Sequence, residues 1–523
     1  MRIRLLSAMI VAGAFLVAPS VPAADLVIGR AAEQSSLDPL FSRTGNNQAT
    51  ADHLFDRLVD NDANNQMHPA LAVSWRVVTP TTWEIRLREG VRFHDGSEFT
   101  ADDVAFSLER AKGVPNSPAS YAGAVRGITD VRVVNRHLLE VRTAEPLPQL
   151  MEQVANVFIM SRKAATGLST GDFNAGKGLV GTGPYVFVEW AKGQRLVLKA
   201  NPAYWGRKPA FANVTIRFIP NDAARVAALL SGDVDLIDQV HPSNVKQLRG
   251  GKTQVFSIAS GRLIYLALDS DRDQTPFLTD VAGAKLDRNP LKDSRVRRAI
   301  SVAIDRKALV ERLLEGSGEP AGQMVPRGIG GHDPALVPPV ADPALAKKLL
   351  AEAGYPGGFG ITLHSSADRF PRDADLVQAL GQMLARGGLK VNGVHAVAYN
   401  VYAGAATKRE YSAFVFSFGT TTPSSAIGLI NVLATFDREA GTGAFNRSRY
   451  SNRDFDAALK TALSEFDERK RGDALAAAAR VAFNDTAIVP LYWQVVHWAA
   501  RRGIAYEPRR DEATLATGAS IAR

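Results

Sequence analysis

The sequence predicts a mixed α/β protein of two or three domains. Three observations carry that expectation. The chain has 523 residues, 46% hydrophobic and 22% charged, which is ordinary globular composition. At roughly 100–200 residues per domain, such a length supplies two or three well-buried cores. Segments alternating apolar and polar residues at period two are interspersed with amphipathic segments that carry helix start and stop signals.

The first residues read as an address. Arg2 and Arg4 precede the apolar stretch from Leu5 to Val17, and small residues follow up to the first carboxylate, Asp25. A charged start, a short apolar stretch and a small-residue site make a cleavable secretory signal peptide, here residues 1–23 with cleavage after Ala23. The apolar stretch is short for a transmembrane helix of about 20 residues. Export to a periplasm is therefore expected. The sequence has no cysteine, which removes disulfides, thiolate nucleophiles, cysteine-bound metals and a lipid anchor on cysteine. Lys plus Arg number 62 against 53 Asp plus Glu, a net charge of +9 spread along the chain. That excess predicts a mildly basic surface and no nucleic-acid partner.

Strands are expected over 83–88, 137–142 and 213–218, each alternating at period two. Asp222 is expected to cap a helix from Ala223 to Leu230, ending at Ser231-Gly232. Asp342-Pro343 opens a helix over 344–353 that Gly354 closes. Ser451 and Asp454 resemble a capping box, and one long helix is expected from Arg295 to Leu314. The Pro/Gly-rich stretch from Glu319 to Pro343 reads as a surface loop of one domain.

Motifs for chemistry fail on context. Gly167-Leu-Ser169-Thr-Gly171 has the spacing of a nucleophile elbow, but glycine-rich sequence follows where a helix is needed. Asp269, Asp271 and Asp273 begin like a calcium loop, yet Gln274 stands where glycine is required. The nine histidines form no metal-binding spacing, so neither a metal nor another cofactor is expected. Trp75, Trp83, Trp190, Trp205, Trp493 and Trp498 punctuate polar stretches, most as core anchors and a minority as candidates for stacking on a ligand.

Three ordered groups of motifs then resemble one family. They are Leu71-Ala-Val-Ser-Trp75 with residues 82–96 and 99–107; Gly181-Thr-Gly-Pro-Tyr185 with Asn201-Pro-Ala-Tyr204-Trp205-Gly206 and residues 230–235; and residues 293–300 running into Ala303-Ile-Asp305-Arg306. They resemble the extracellular family 5 solute-binding proteins of ABC importers, the peptide/nickel class. The resemblance implies a two-lobed periplasmic binding protein of type II, cluster C, with an extra subdomain inserted in lobe I. Lobe I would span 24–267 plus 488–523, the insertion about 62–180, and lobe II 268–487. Chain crossings near Leu266-Ala-Leu268 and Ile488-Val-Pro490 would form the hinge. Such a protein would be a monomer and no enzyme, trapping a peptide or other small polar solute and delivering it to permease subunits in the inner membrane. The motif residues Gly90, Gly96 and Gly181 are expected to mark turns, with His94-Asp95 holding one by local hydrogen bonds.

Peptide binders of the family commonly present a lobe II aspartate to the ligand's α-ammonium. The corresponding stretch, 414–425, holds no acid, and a cation buried there would lack its countercharge. Thr420, Thr421 and neighbouring serines suit neutral or anionic groups, although Glu33 remains an alternative anchor for an amine. Arg369 follows the expected strand 360–364 and is a candidate carboxylate or phosphate clamp. The expected ligand-binding set is therefore Glu33, Gln34, Tyr265, Arg369, Phe418, Thr420, Thr421 and Trp493. An exported hydrolase, or a sensor presenting solute to a membrane receptor, are the alternatives on the same frame.

Overall fold

The computed structural model describes residues 25–522, so the expected export signal lies outside it. One twelve-stranded sheet runs through the whole molecule. Its order is Leu278–Thr279, Gly360–Ser366, Ala413–Gly419, Thr253–Leu268, Val489–Arg501, Leu236–Ile237, Asp25–Arg30, Asn213–Phe218, Arg195–Ala200 and Tyr185–Ala191. Lys390–Val397 pairs with Gly360–Ser366, and Gly318–Pro320 pairs with Val489–Arg501. The first strand, β1 (Asp25–Arg30), runs parallel to both its neighbours, and Leu26 and Ile28 have no exposed surface. A strand in parallel pairing needs both faces covered, which its apolar sequence allows.

Two strands belong to both halves. Along Thr253–Leu268, Ile258 packs on the first core, whereas Leu263 to Leu268 pack on the second. Along Val489–Arg501, Val489 to Trp493 belong to the second core and Val496 to Ala500 to the first. The antiparallel register slips where the cores change: Ala259 faces Val495 and Leu263 faces Trp493, so Ser260-Gly261-Arg262 bulge opposite a single residue. The crossings expected at Leu266–Leu268 and Ile488–Pro490 fall several residues inside the second core. Gly261 is there for close approach, because a Cβ would stand 2.0 Å from the Thr420 carbonyl oxygen.

The first half also carries a separate four-stranded antiparallel sheet, Ala72–Thr79, Thr82–Leu87, Leu138–Thr143 and Ile128–Asn135. Trp83, Ile85, Leu139 and Val141 are buried beneath the helix Ala101–Ala111, while ion pairs such as Arg76–Glu84 cover the outer face. Alternation along each strand produces this one-sided burial. The helix opens on the capping box of Thr100 and Asp103.

The anticipated strands at 83–88, 137–142 and 213–218 appear as Thr82–Leu87, Leu138–Thr143 and Asn213–Phe218. Asp342 caps its helix by accepting from the Leu345 N–H. Several details differ. The helix Asp222–Ser231 is capped by Asn221, one residue earlier than expected, and Asn452 caps Arg453–Ser464 in place of Ser451. In both cases an asparagine side chain reaches the free N–H groups of the first turn. The long helix expected over 295–314 ends at Val302, because Asp305 caps a new turn and Arg306 turns inward. The Arg306 guanidinium is fully engaged with the carbonyls of Pro490, Ser301 and Ile304 and the Ser301 hydroxyl. The 319–343 segment is partly internal: Ala321, Gln323, Met324 and Val325 are buried.

Gly90 and Gly96 take positive φ, as turns require, but Gly181 does not. A Cβ on Gly181 would meet the Leu54 carbonyl oxygen at 1.9 Å, so the residue is fixed by packing against the end of α1 (Gly45–Leu54). His94 clamps the same segment, with Nε2 3.0 Å from the Gly183 carbonyl and Nδ1 accepting from the Gly181 N–H at 3.3 Å. It ties two distant motifs together and does more than hold a local turn. Ser169 of the elbow-like motif is a helix cap, its hydroxyl accepting from Asp172 N–H. Asp269 is spent on Arg272 and Thr275.

At the other side of α1, His53 joins that helix to the C-terminal segment. Its Nδ1 lies 2.6 Å from the Ala49 carbonyl and its Nε2 accepts from the Ala516 N–H at 2.9 Å. Burial lowers its pKa from 6.5 to about 4, and burial brings His497 and His364 to the same value. A histidine whose folded-state pKa lies below its unfolded value binds fewer protons when folded, so stability falls as the pH drops from about 6.5 toward 4. Urea midpoints should decrease across that window, and a His53→Gln variant should show a shallower decrease. Parallel profiles for the two proteins would contradict the role given to His53.

Candidate functional site

Between the two cores lies a cavity of about 560 Å³. That is within the usual range for a small-molecule site. Its first-lobe wall comes from the end of β1, the start of α1 and residues 119–120 and 155–156; its second-lobe wall is Phe418, Thr421, Ile427, Asn431 and Phe445. The C-terminal segment 509–514 and Arg262, beside the strand bulge, form the floor. The position follows from the fold, since ligands in open α/β sheets gather beyond strand C-termini. A second cavity of about 220 Å³ lies within the first lobe and shares Asp52, Arg57 and Arg509 with the first.

The carboxylates at the cavity are engaged with protein groups. Arg262 holds Glu512 through two bonds of 2.9 Å. Arg509 binds Asp511 at 2.6 Å, and Arg57 binds Asp52 at 2.7 Å. Asp238 accepts from the Ala31 N–H at 2.8 Å and from the Thr514 hydroxyl at 3.3 Å, with Arg225 at 3.8 Å. Burial raises the Asp52 carboxyl to about 6 despite Arg57, and raises Asp238 as well. Two guanidiniums differ. Arg30, at the end of β1 and 1% exposed, donates only to neutral acceptors: the Ala32 carbonyl, Gln34 and Thr50. Burial lowers its pKa to about 10. Arg43 has no carboxylate within ion-pair distance among the described residues, and its Nε is buried without a partner. Burial lowers its pKa too.

Of the side chains anticipated from sequence, Phe418 and Thr421 line this cavity. Thr420 is beside them but fully buried, its backbone N–H donating to Gly261 and its carbonyl accepting from Asn65. Glu33 accepts from Trp190 Nε1 at 2.7 Å and from the Gly193 N–H at 2.9 Å, which pins the loop after β1 to a hairpin. Gln34 is buried against Arg30, with its Nε2 unpartnered. Tyr265 and Trp493 pack in the second core, where burial pushes the Tyr265 phenol up to about 12 and Trp493 donates to the Met324 carbonyl at 3.4 Å. Arg369 is exposed, its guanidinium 5.2 Å from the Tyr399 ring centre, outside the cavity lining. No tryptophan lines the cavity; its aromatic faces are Phe418 and Phe445, 5.9 Å apart. Arg30 was within reach of sequence reasoning, since it ends the first strand. Arg43 carried no signal beyond being charged.

The two lobes touch beyond the cavity. Glu152 of the first lobe is the central contact: its carboxylate accepts from the Ser424 hydroxyl at 2.8 Å and from Arg471 at 3.2 Å. The Glu152 and Arg471 side chains are each only 9% exposed. Gln149 donates to the Leu463 carbonyl at 2.9 Å, and Asn61 and Asn65 donate to the carbonyls of Thr421 and Thr420. This is a closed arrangement. Removing one partner of a buried ion pair leaves an uncompensated charge, which strongly disfavours the state that buries it. Glu152→Ala should therefore leave the ligand-saturated protein larger in X-ray scattering than the wild type and weaken ligand binding by about 1–3 kcal/mol. An unchanged radius of gyration with unchanged affinity would rule out this contact as a latch.

Comparisons with known proteins agree on one family. Residues 66–439 match the family model described as bacterial extracellular solute-binding proteins, family 5 Middle. Protein XP55 of Streptomyces lividans is 33% identical over 391 residues, covering 72% of this chain and 64% of that protein, a little under two thirds of its length. The probable D,D-dipeptide-binding periplasmic protein DdpA of Escherichia coli K12 is 26% identical over 522 residues, covering 97% and 96% of the two chains. Among solved structures, the ABC transporter-associated periplasmic binding protein DppA from Helicobacter pylori, in complex with the peptide STSA, has a similar fold. Its TM-score is 0.75 at 23% identity, covering 95% of this chain and 98% of that one.

Proposed function

The chain belongs to the bacterial extracellular solute-binding proteins of family 5, the substrate-binding components of ABC importers, and from that membership we propose how it works. It traps a small polar solute in the cavity between its lobes and presents the closed form to a membrane permease. The observation that supports this reading most is the cavity of about 560 Å³ walled by both lobes and floored by the strand crossing. A ligand there gains contacts only when the lobes meet, and that difference in affinity is what favours closure. The lobes divide at Ser260–Arg262 and at Gln494–Val495, where the shared strands change cores.

Binding without catalysis is the matching chemical reading. The cavity presents arginines and carboxylates, amides and hydroxyls, and Ser169 of the elbow-like motif is occupied as a helix cap. Simple free-amine peptides are disfavoured, because Asp52, Asp511 and Glu512 are each held by an arginine and Asp238 by backbone, Thr514 and Arg225. An ammonium brought into the cavity would have to take a carboxylate from its present partner.

The protein acts as a periplasmic monomer after removal of residues 1–23. N-terminal sequencing of the periplasmic protein should begin at Ala24 or Asp25; a chain retaining Met1 in the membrane fraction would refute this. Closure is tested by X-ray scattering at ligand saturation. The radius of gyration should shrink and the thermal midpoint should rise, since the ligand binds only the folded state. A solute that binds tightly and leaves the radius unchanged would count against trapping between lobes.

A further inference from the structure

We infer that the cavity contains an anion subsite on the first lobe, built on Arg43 and the start of α1. The solute it selects is a monoanionic amphipathic molecule, with an oxyanion such as a carboxylate on Arg43 and an apolar body against Phe418, Ile427 and Phe445. This deepens the transport reading and rests on it.

The charge count of the cavity points to one negative group. Its lining holds five arginines and four carboxylates, with no lysine or histidine. Three of the arginines are matched by a carboxylate within 2.9 Å. The fourth carboxylate, Asp238, is held by the Ala31 N–H, the Thr514 hydroxyl and Arg225, a side chain outside the lining. Arg30 is buried on the Ala32 carbonyl, Gln34 and Thr50, with the Asp238 and Glu33 charges acting on it, so among the described lining residues Arg43 is the guanidinium left without a carboxylate. Arg43 is the sharper case, because its buried Nε donates to nothing. The Arg43 side chain is half-buried, and burial lowers its pKa, so a charge there is favoured by an anionic partner. Tyr121 shares this corner but is neutral, since burial raises its pKa far above 7.

The backbone adds to the same potential. Arg43 stands two residues before α1, whose cap residue, Thr44, makes no side-chain capping bond and whose first turn has no acid. Gly45 and Asn46 of that turn line the cavity. A helix N-terminus carries a partial positive charge, so an oxyanion beside Arg43 would meet both.

Among the described residues of the opposite wall none is charged, and the cation behind it is Arg447, 5.5 Å from the Phe445 ring centre. Phe418, Thr421, Ile427, Asn431 and Phe445 are apolar or neutral, and Phe445 is 44% exposed. A solute with its charge at one end would therefore bind the first lobe electrostatically and draw the second lobe over its apolar end. The ligand's polarity and the direction of closure would coincide.

Isothermal titration of the full mature chain tests this with two acids, N-acetyl-L-phenylalanine and 3-phenylpropionate, their neutral amides, and the dipeptide Phe-Ala. The acids should bind at least about tenfold more tightly than their amides, and Phe-Ala more weakly than the acids, as expected for charge-assisted hydrogen bonds. Arg43→Gln should lower acid affinity by about 10- to 100-fold and leave amide affinity unchanged, while Arg43→Lys restores part of the loss. The unliganded Arg43→Gln protein should unfold at the wild-type temperature or above, because it loses an uncompensated charge; a structural role would lower it. Equal binding of acids and amides, tighter binding of Phe-Ala, or undiminished acid affinity in Arg43→Gln would overturn the subsite and leave the transport reading standing. If none of these compounds binds at millimolar concentration, the monoanionic class itself is overturned. The transport reading fails separately, when a solute that does bind produces no closure.

Discussion

The pairing of Thr253–Leu268 with Val489–Arg501 is the constraint on which the rest of this molecule depends. These strands are hydrogen-bonded to each other along nearly their whole length, and each contributes side chains to both cores. Neither lobe can lose them and keep its sheet. Two strands are also the narrowest connection that fixes the lobes' relative orientation while leaving a bend between them. The bend is confined by the register slip at Ser260–Arg262, where ladder bonds are already missing. Gly261 then lets the second lobe's Thr420 backbone close against the crossing, at a distance no side chain would permit.

The candidate site is arranged around that crossing. Arg262 and the 509–514 segment floor the cavity, β1 and α1 deliver Arg30 and Arg43 to one wall, and Ala413–Gly419 delivers Phe418 to the other. Closure is then a balance of charges. The Glu152 carboxylate is buried against Ser424 and Arg471 at the closed interface, and its pKa is raised by that burial. Buried ion pairs return little net stability, because desolvation offsets their attraction. Such a contact specifies the closed geometry without locking it, which suits a protein that must also release its cargo.

Much of the fold was legible because it rests on local rules. Period-two alternation located Thr82–Leu87, Leu138–Thr143 and Asn213–Phe218, and Asp342 announced its helix by capping chemistry. The misjudged details are those decided by tertiary contact. Asn221 and Asn452 outcompeted neighbouring acid and hydroxyl caps, and the 295–314 helix broke so that Arg306 could bond the Pro490 carbonyl. Gly181 looked like a turn, yet the carbonyl of Leu54 is what forbids a side chain there. The site was less legible than the fold. Its second-lobe wall was anticipated through Phe418 and Thr421, whereas Arg369 stayed on the surface over Tyr399. Arg43 could not be singled out, because an arginine matters here only through the absence of a partner, and absence is a property of three dimensions. Glu152 was invisible for the same reason: Ser424 and Arg471 are 272 and 319 residues away.

Amide hydrogen exchange with and without a saturating ligand tests most directly whether motion is concentrated at the crossing. Exchange in the unliganded protein should be fastest, among the shared strands, at Ser260–Arg262 and Gln494–Val495. Ligand should slow those amides together with the facing segments around Glu152 and Ser424, and leave both cores unchanged. Ligand-dependent changes spread through either core, with none at the crossing, would contradict the account.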